Sequence, residues 1–177
     1  MAGRSGVQCA ALPGAGFARA RGGRGHPRRS HQNVDALQQR RAELAADPDA
    51  LNRTATILIA EDHLDSRDAM RALLEAFGFE VVVAVDGRQA VEFALHHRPD
   101  LILMDIMMPE LDGFEATRRL RQHDATRGTP IIAVTAMEGA QRLALQAGAN
   151  DYVRKPIDIR GLIAKVHDWL PKAGGDG

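Results

Sequence analysis

The chain has a single cysteine, Cys9, so no internal disulfide can form, and a reducing cytoplasm is its simplest setting. No apolar run approaches the ~18–20 residues needed to cross a bilayer, which argues against a membrane span. The N-terminus lacks a compact apolar stretch followed by a small-residue cleavage site, so it does not read as a secretory signal. Acids are missing from residues 1–33, where six arginines stand: Arg4, Arg19, Arg21, Arg24, Arg28 and Arg29.

The formal net charge of zero therefore hides an asymmetry. Residues 34–177 hold 17 basic residues against all 23 acids, about −6. An acidic body disfavours nucleic-acid binding and suits a site built of carboxylates. Residues 1–45 read as a disordered basic Gly/Ala/Arg-rich tail, dispensable for any phosphoryl chemistry of the folded domain, with one short helix over 34–46 where Leu37 and Leu44 stand two turns apart. A transit peptide, or residues translated from an upstream start codon, would have the same composition. Asp47-Pro48-Asp49 ends the helix, and the folded domain is expected over 54–172.

Within that domain 45% overall hydrophobic content is organised as alternating short apolar runs and amphipathic stretches. Ile57-Leu58-Ile59-Ala60 is wholly apolar and predicts a strand buried on both faces. Leu64, Met70, Leu73, Leu74 and Phe77 then fall on one side of a helix stopped by Gly78. Strands follow over Glu80–Val85, Leu101–Met104, Pro130–Val134 and Tyr152–Val153. Asp86 caps the second helix, a third follows Asp112-Gly113, a short fourth runs to Ala147 with Gly148 past its end, and a last helix capped by Asp158 carries Leu162, Ile163, Val166 and Leu170 inward. Five β-then-α units predict a doubly wound α/β fold with a five-stranded parallel sheet and five helices.

Glu61-Asp62, Asp105, Thr135 and Lys155 each follow the C-terminal end of a predicted strand, the edge where such sheets bind ligands. Each has an ordinary reading alone: a helix cap, a strand residue, a solvated lysine. Their joint occurrence at one edge favours chemistry. Three carboxylates repel one another unless a cation sits among them, and hard oxygen donors suit Mg²⁺. A magnesium site beside a lysine and a hydroxyl is equipped for a phosphoryl group, and one carboxylate could serve as nucleophile. Met104, Met107 and Met108 are expected to fill space near this site, since a thioether is a poor magnesium ligand. His63, His96 and His97 have no partner at metal-ligand spacing and are expected at the surface.

Four segments, Ile57-Leu58-Ile59-Ala60-Glu61-Asp62, Leu103 to Gly113, Ala133-Val134-Thr135-Ala136 and Tyr152-Val153-Arg154-Lys155-Pro156, resemble the receiver domain of bacterial two-component response regulators, in its stand-alone, chemotaxis-type form. The resemblance covers about two-thirds of the chain. It implies a flavodoxin-like fold of strand order 2-1-3-4-5 and a Mg²⁺-dependent signalling switch in the cytoplasm. The phosphoryl group would come from a sensor histidine kinase or a histidine phosphotransfer protein. By the same resemblance Asp105 is the phosphoacceptor, and Glu61, Asp62, Asp105 and the Met107 backbone carbonyl hold the metal. Thr135 and Tyr152 are the switch pair, Lys155 pairs with the phosphate, and the Lys155–Pro156 bond is expected to be cis. Partners would bind the face of the fourth helix, fifth strand and fifth helix. The stretch from Thr135 to Lys155 is about two residues shorter than usual, and no DNA-binding or enzymatic output domain is expected.

Three other functions fit the residues less well. A phosphohydrolase working through an aspartyl-phosphate needs a second acid two residues after the nucleophile, where this chain has Met107. A flavin-binding protein needs a Ser/Thr/Gly-rich loop after the first strand, which is missing. A purely structural interaction module would not need Asp62, Asp105, Thr135 and Lys155 together.

Overall fold

The computed structural model describes residues 35, 36, 38–40, 42 and 53–170. Of the tail expected over 1–45, residues 1–34, 37, 41 and 43–45 lie outside the described residues, as do Asp47-Pro48-Asp49. Of the helix expected at 34–46, Asp35, Ala36, Gln38, Gln39, Arg40 and Ala42 are described and helical. No helix among the described residues is long and apolar enough to cross a membrane.

The strands are β1 (Thr56–Ala60), β2 (Glu80–Ala84), β3 (Leu101–Asp105), β4 (Ile131–Thr135) and β5 (Asp151–Arg154). They alternate with α1 (Leu64–Ala76), α2 (Gly87–His97), α3 (Gly113–Gln122), α4 (Ala140–Ala147) and α5 (Ile159–Trp169). All strand pairs are parallel, and the sheet runs β2-β1-β3-β4-β5. This is the expected doubly wound, flavodoxin-like order.

Strand periodicity explains why both faces are covered. Side chains alternate across the sheet, so Leu58, Ala60, Ile102, Met104, Ile131 and Ala133 join one core with Ala90 and Ala94 of α2, Ala116 and Leu120 of α3 and Ala144 of α4. Ile57, Ile59, Leu101, Leu103, Ile132 and Val134 join the other, with Met70 and Leu74 of α1 and Leu162, Ile163 and Val166 of α5. β3 and β4 are buried at every residue, as central strands between two helix layers must be.

Asp86 and Asp158 cap as expected, and Asp112 caps the third helix as well. Asp86, Asp112 and Asp158 accept from the backbone N–H of Gln89, Glu115 and Gly161 at 2.7, 2.8 and 3.0 Å. Gly78 and Gly148 lie past α1 and α4 in the left-handed region, with φ of 86° and 114°. Two residues expected on the inward side of α1 are exposed. Leu64 sits in its first turn at the open edge of the sheet, and Phe77 is its C-cap, where the chain has left the face that buries Met70 and Leu74.

Candidate functional site

Strand register brings the singled-out residues together. Ala60 pairs with Met104, so Glu61 and Asp105 leave adjacent strands at the same level. Asp105 pairs with Val134 and Thr135 with Arg154, which places Thr135 and Lys155 at that same edge. The Lys155 backbone N–H donates to the Thr135 carbonyl at 2.9 Å and carries the ladder one step further. The Lys155–Pro156 bond is cis.

At this edge the Lys155 ammonium bridges two buried acids. Its Nζ donates to Asp105 Oδ2 at 2.5 Å and to Glu61 Oε2 at 2.7 Å. Glu61 is 1% and Asp105 4% exposed, while Asp62 faces solvent. The second oxygen of each buried acid is held by backbone. Met107 N–H donates to Asp105 Oδ1 at 2.8 Å, and His63 N–H to Glu61 Oε1 at 3.2 Å. Burial, helped by the nearby Asp105 charge, raises Glu61 above the ordinary carboxylate range, although hydrogen bonding to Lys155 opposes this. Burial pulls Lys155 down, but its hydrogen bonds to Asp105 and Glu61 prevail and its pKa is raised. The lysine is therefore firmly cationic between the acids.

Glu61, Asp62 and Asp105 each offer a carboxylate oxygen, and these three atoms lie within 4.8 Å of one another. Such a donor set fits a small hard cation such as Mg²⁺. Thr135 is buried, and its Oγ1 accepts from Met137 N–H at 3.0 Å. Tyr152 is half-buried on β5, opposite Ala133 in register, and the Lys165 Nζ lies 5.8 Å from its ring centroid.

The methionines divide. Met104 and Met108 are buried beneath the site, but Met107 is 60% exposed and fills no space; it follows β3 in a loop whose backbone, not its side chain, turns to Asp105. His63, His96 and His97 are exposed as expected.

Two supports escaped sequence reading. The Arg67 guanidinium donates to the carbonyls of Glu61 at 3.0 Å and Asp62 at 3.2 Å and so pins the acidic pair from α1. An arginine in a first helical turn carries no signal for this. Gly113 opens α3 directly against the strand end that carries Asp105. A Cβ there would lie 2.0 Å from the Asp105 carbonyl oxygen, and its N–H donates to Ile106 O at 3.1 Å. The Asp112-Gly113 pair marked a helix start but not this close approach.

Comparison with known proteins agrees with the geometry. The response regulator receiver domain family matches residues 57–167. The polar-differentiation response regulator DivK of Brucella anthropi is 39% identical over 120 residues, spanning 67% of this chain and 98% of that protein. The receiver domain of sensor histidine kinase PA1611 from Pseudomonas aeruginosa PAO1, solved with a magnesium ion coordinated in its active-site cleft, is 39% identical. It superposes with a TM-score of 0.63 over 66% of this chain and 98% of its own. Vibrio cholerae chemotaxis protein CheY4 is 28% identical with a TM-score of 0.63, over 67% of this chain and all of its own. The chain belongs to the family of response regulator receiver domains.

Proposed function

We propose that this receiver domain is a phosphorylation-dependent signalling switch in which Asp105 takes a phosphoryl group from a phosphohistidine on a sensor histidine kinase or a histidine phosphotransfer protein. The observation that carries this reading is the Lys155 bridge, because it holds a cation against a buried carboxylate at a strand end rich in acids.

An Asp105 carboxylate oxygen attacks phosphorus as the P–N bond of the donor breaks. The bonding pair stays with the imidazole, which takes up a proton from water, and an acyl phosphate remains on Asp105. Lys155, already within hydrogen-bond reach of Asp105 Oδ2, stays beside the charge that arrives with the phosphoryl oxygens. Glu61, Asp62 and Asp105 would hold Mg²⁺ together with the Met107 carbonyl and water, and the bound ion would neutralise phosphoryl oxygens. The domain catalyses only its own phosphorylation and dephosphorylation, because Met107 stands where a hydrolase would need an acid.

The switch begins at Thr135. A hydroxyl both donates and accepts, so while its Oγ1 accepts from Met137 N–H its proton can turn to a phosphoryl oxygen. Movement of Thr135 toward the phosphoryl group then pulls Met137 and the loop leading into α4. Tyr152, on the neighbouring strand, follows and reshapes the face that α4, β5 and α5 present to a partner.

The test is phosphoryl uptake from a small phosphodonor. One phosphoryl group per chain is expected with Mg²⁺, and none with a chelator or in Asp105→Asn. Uptake that persists in Asp105→Asn would refute the assignment.

A further inference from the structure

The end of the domain remote from Asp105 also has a built structure, and it includes part of the chain beyond the family match. α2 closes at Arg98, which has φ 48° and donates its N–H to Ala94 O at 3.0 Å. The carbonyls that follow lie at the negative end of the helix dipole, where a cation is favoured. Arg40, from the N-terminal helical stretch, supplies it. Its guanidinium donates to Pro99 O at 2.9 Å and to Arg98 O at 3.4 Å. On the other side, Gly128 leaves room for the same stretch. A Cβ on Gly128 would lie 2.7 Å from Ala36 O and 3.3 Å from the Arg40 Cβ. Its φ is outside the left-handed region, so an alanine there would add no backbone strain, and the atoms it would meet first belong to this stretch. A further tether is close by. Asp100 is buried, accepts from Thr56 N–H at 2.9 Å and binds the Arg53 guanidinium.

We propose that this pole is a docking surface for the chain's own helical residues 35, 36, 38–40 and 42, with Arg40 capping α2 from outside and Gly128 clearing the path of the incoming backbone. The stretch precedes the family match, which begins at residue 57, and the match to Brucella anthropi DivK uses 98% of that protein but 67% of this chain. Pro99 and Asp105 are separated by about 20 Å of extended chain. The docked stretch thus sits at the end of the domain away from its carboxylates.

Amide hydrogen exchange on the full-length protein tests this. A helix shorter than ~12–15 residues is marginal in water on its own, so protection over 35–42 reports docking. In the wild type, peptides covering 35–42 should be protected. Arg40→Ala removes charge-assisted bonds, and Gly128→Ala adds the obstructing carbon from a distant part of the sequence. Each should speed exchange over 35–42 by about tenfold or more, while peptides of β3 and β4 keep their wild-type protection. Arg40→Lys should fall between the two states. Wild-type exchange over 35–42 as fast as in an unstructured peptide would overturn the proposal without need of any variant. So would unchanged exchange over 35–42 in both Arg40→Ala and Gly128→Ala.

Discussion

Removing the Lys155 ammonium should cost this domain a large part of its stability, because two buried carboxylates depend on it. Lys155→Ala leaves Glu61 and Asp105, at 1% and 4% exposure, facing each other with no cation. At an effective dielectric of about 20, each contact near 2.7 Å is worth roughly 6 kcal/mol of Coulomb attraction, most of it offset by desolvation. Breaking such a pair by deleting one partner typically costs about 3–5 kcal/mol. The structure also supplies a ceiling, since Glu61 can escape by taking a proton. From an ordinary pKa of 4.5, holding that proton at pH 7 costs about 3.5 kcal/mol. A loss of about 3 kcal/mol at pH 7, and no more than about 3.5, is therefore expected. A carboxyl whose pKa is raised by folding destabilises the fold above its unfolded pKa and ceases to do so below it. The deficit should therefore shrink as the pH falls through the carboxylate range.

The assay is urea unfolding followed by circular dichroism, with a chelator present, at pH 7 and at progressively lower pH. Asp105→Asn should recover much of the loss in the Lys155→Ala background, with a coupling of about 1–3 kcal/mol in the double-mutant cycle. Mg²⁺ should also restore stability to Lys155→Ala, because an ion that binds only the folded site shifts the equilibrium by mass action. A deficit below about 1 kcal/mol at pH 7, or the same deficit with and without the Asp105 carboxylate, would refute the reasoning.

Three further outcomes are expected. In calorimetry Asp62→Ala and Asp105→Asn should each weaken Mg²⁺ binding, because each removes one of the three converging carboxylates; unchanged affinity in Asp62→Ala would refute the metal site. Asp151 is buried in part, which raises its pKa, but hydrogen bonds from Lys165, the Tyr152 N–H and Trp169 prevail and lower it. Its stabilisation is complete above the ordinary value of 3.8 and lost as pH falls through the lower folded value, so the Tm of Asp151→Asn should fall less steeply with acid than that of the wild type. The acyl phosphate should outlast seconds without a phosphatase, because the exposed apolar side chains of Met107 and Met137 flank the site and neither orients a water. Met107→Asn or Met137→Glu should speed its decay, about tenfold for each 1.4 kcal/mol taken from the barrier, as followed by loss of phosphorylated protein.

Much of this was legible in the residues, for physical reasons. Ile57 to Ala60 and Leu101 to Met104 read as strands because both faces of a doubly wound sheet are covered and only apolar runs survive there. Glu61, Asp105, Thr135 and Lys155 stood out because strand ends with polar or charged residues interrupt those runs at one edge. What depends on long-range contact was hidden. Arg121 looks like a surface arginine of a polar helix, yet it is half-buried and its guanidinium donates to the carbonyls of Gly148 and Thr129 and to Asn150 Oδ1. Burial lowers its pKa to about 10, and no local pattern signals it. Helical periodicity placed Leu64 and Phe77 with Met70 and Leu74, but periodicity does not say where the opposing layer stops, and both ends of α1 overhang it. The exposure of Met107 was hidden in the same way, because an apolar side chain beside a site can be turned outward when its backbone makes the contact.

The central claim is that the phosphoryl group is carried by Asp105 and by no other acid at this edge. Its most direct test is site mapping by tandem mass spectrometry after reaction with a small phosphodonor and Mg²⁺. The account predicts one acyl phosphate per chain, on Asp105, with Asp62 and Glu61 unmodified. A phosphoryl group on Asp62, on Glu61 or on any residue other than Asp105 would contradict it.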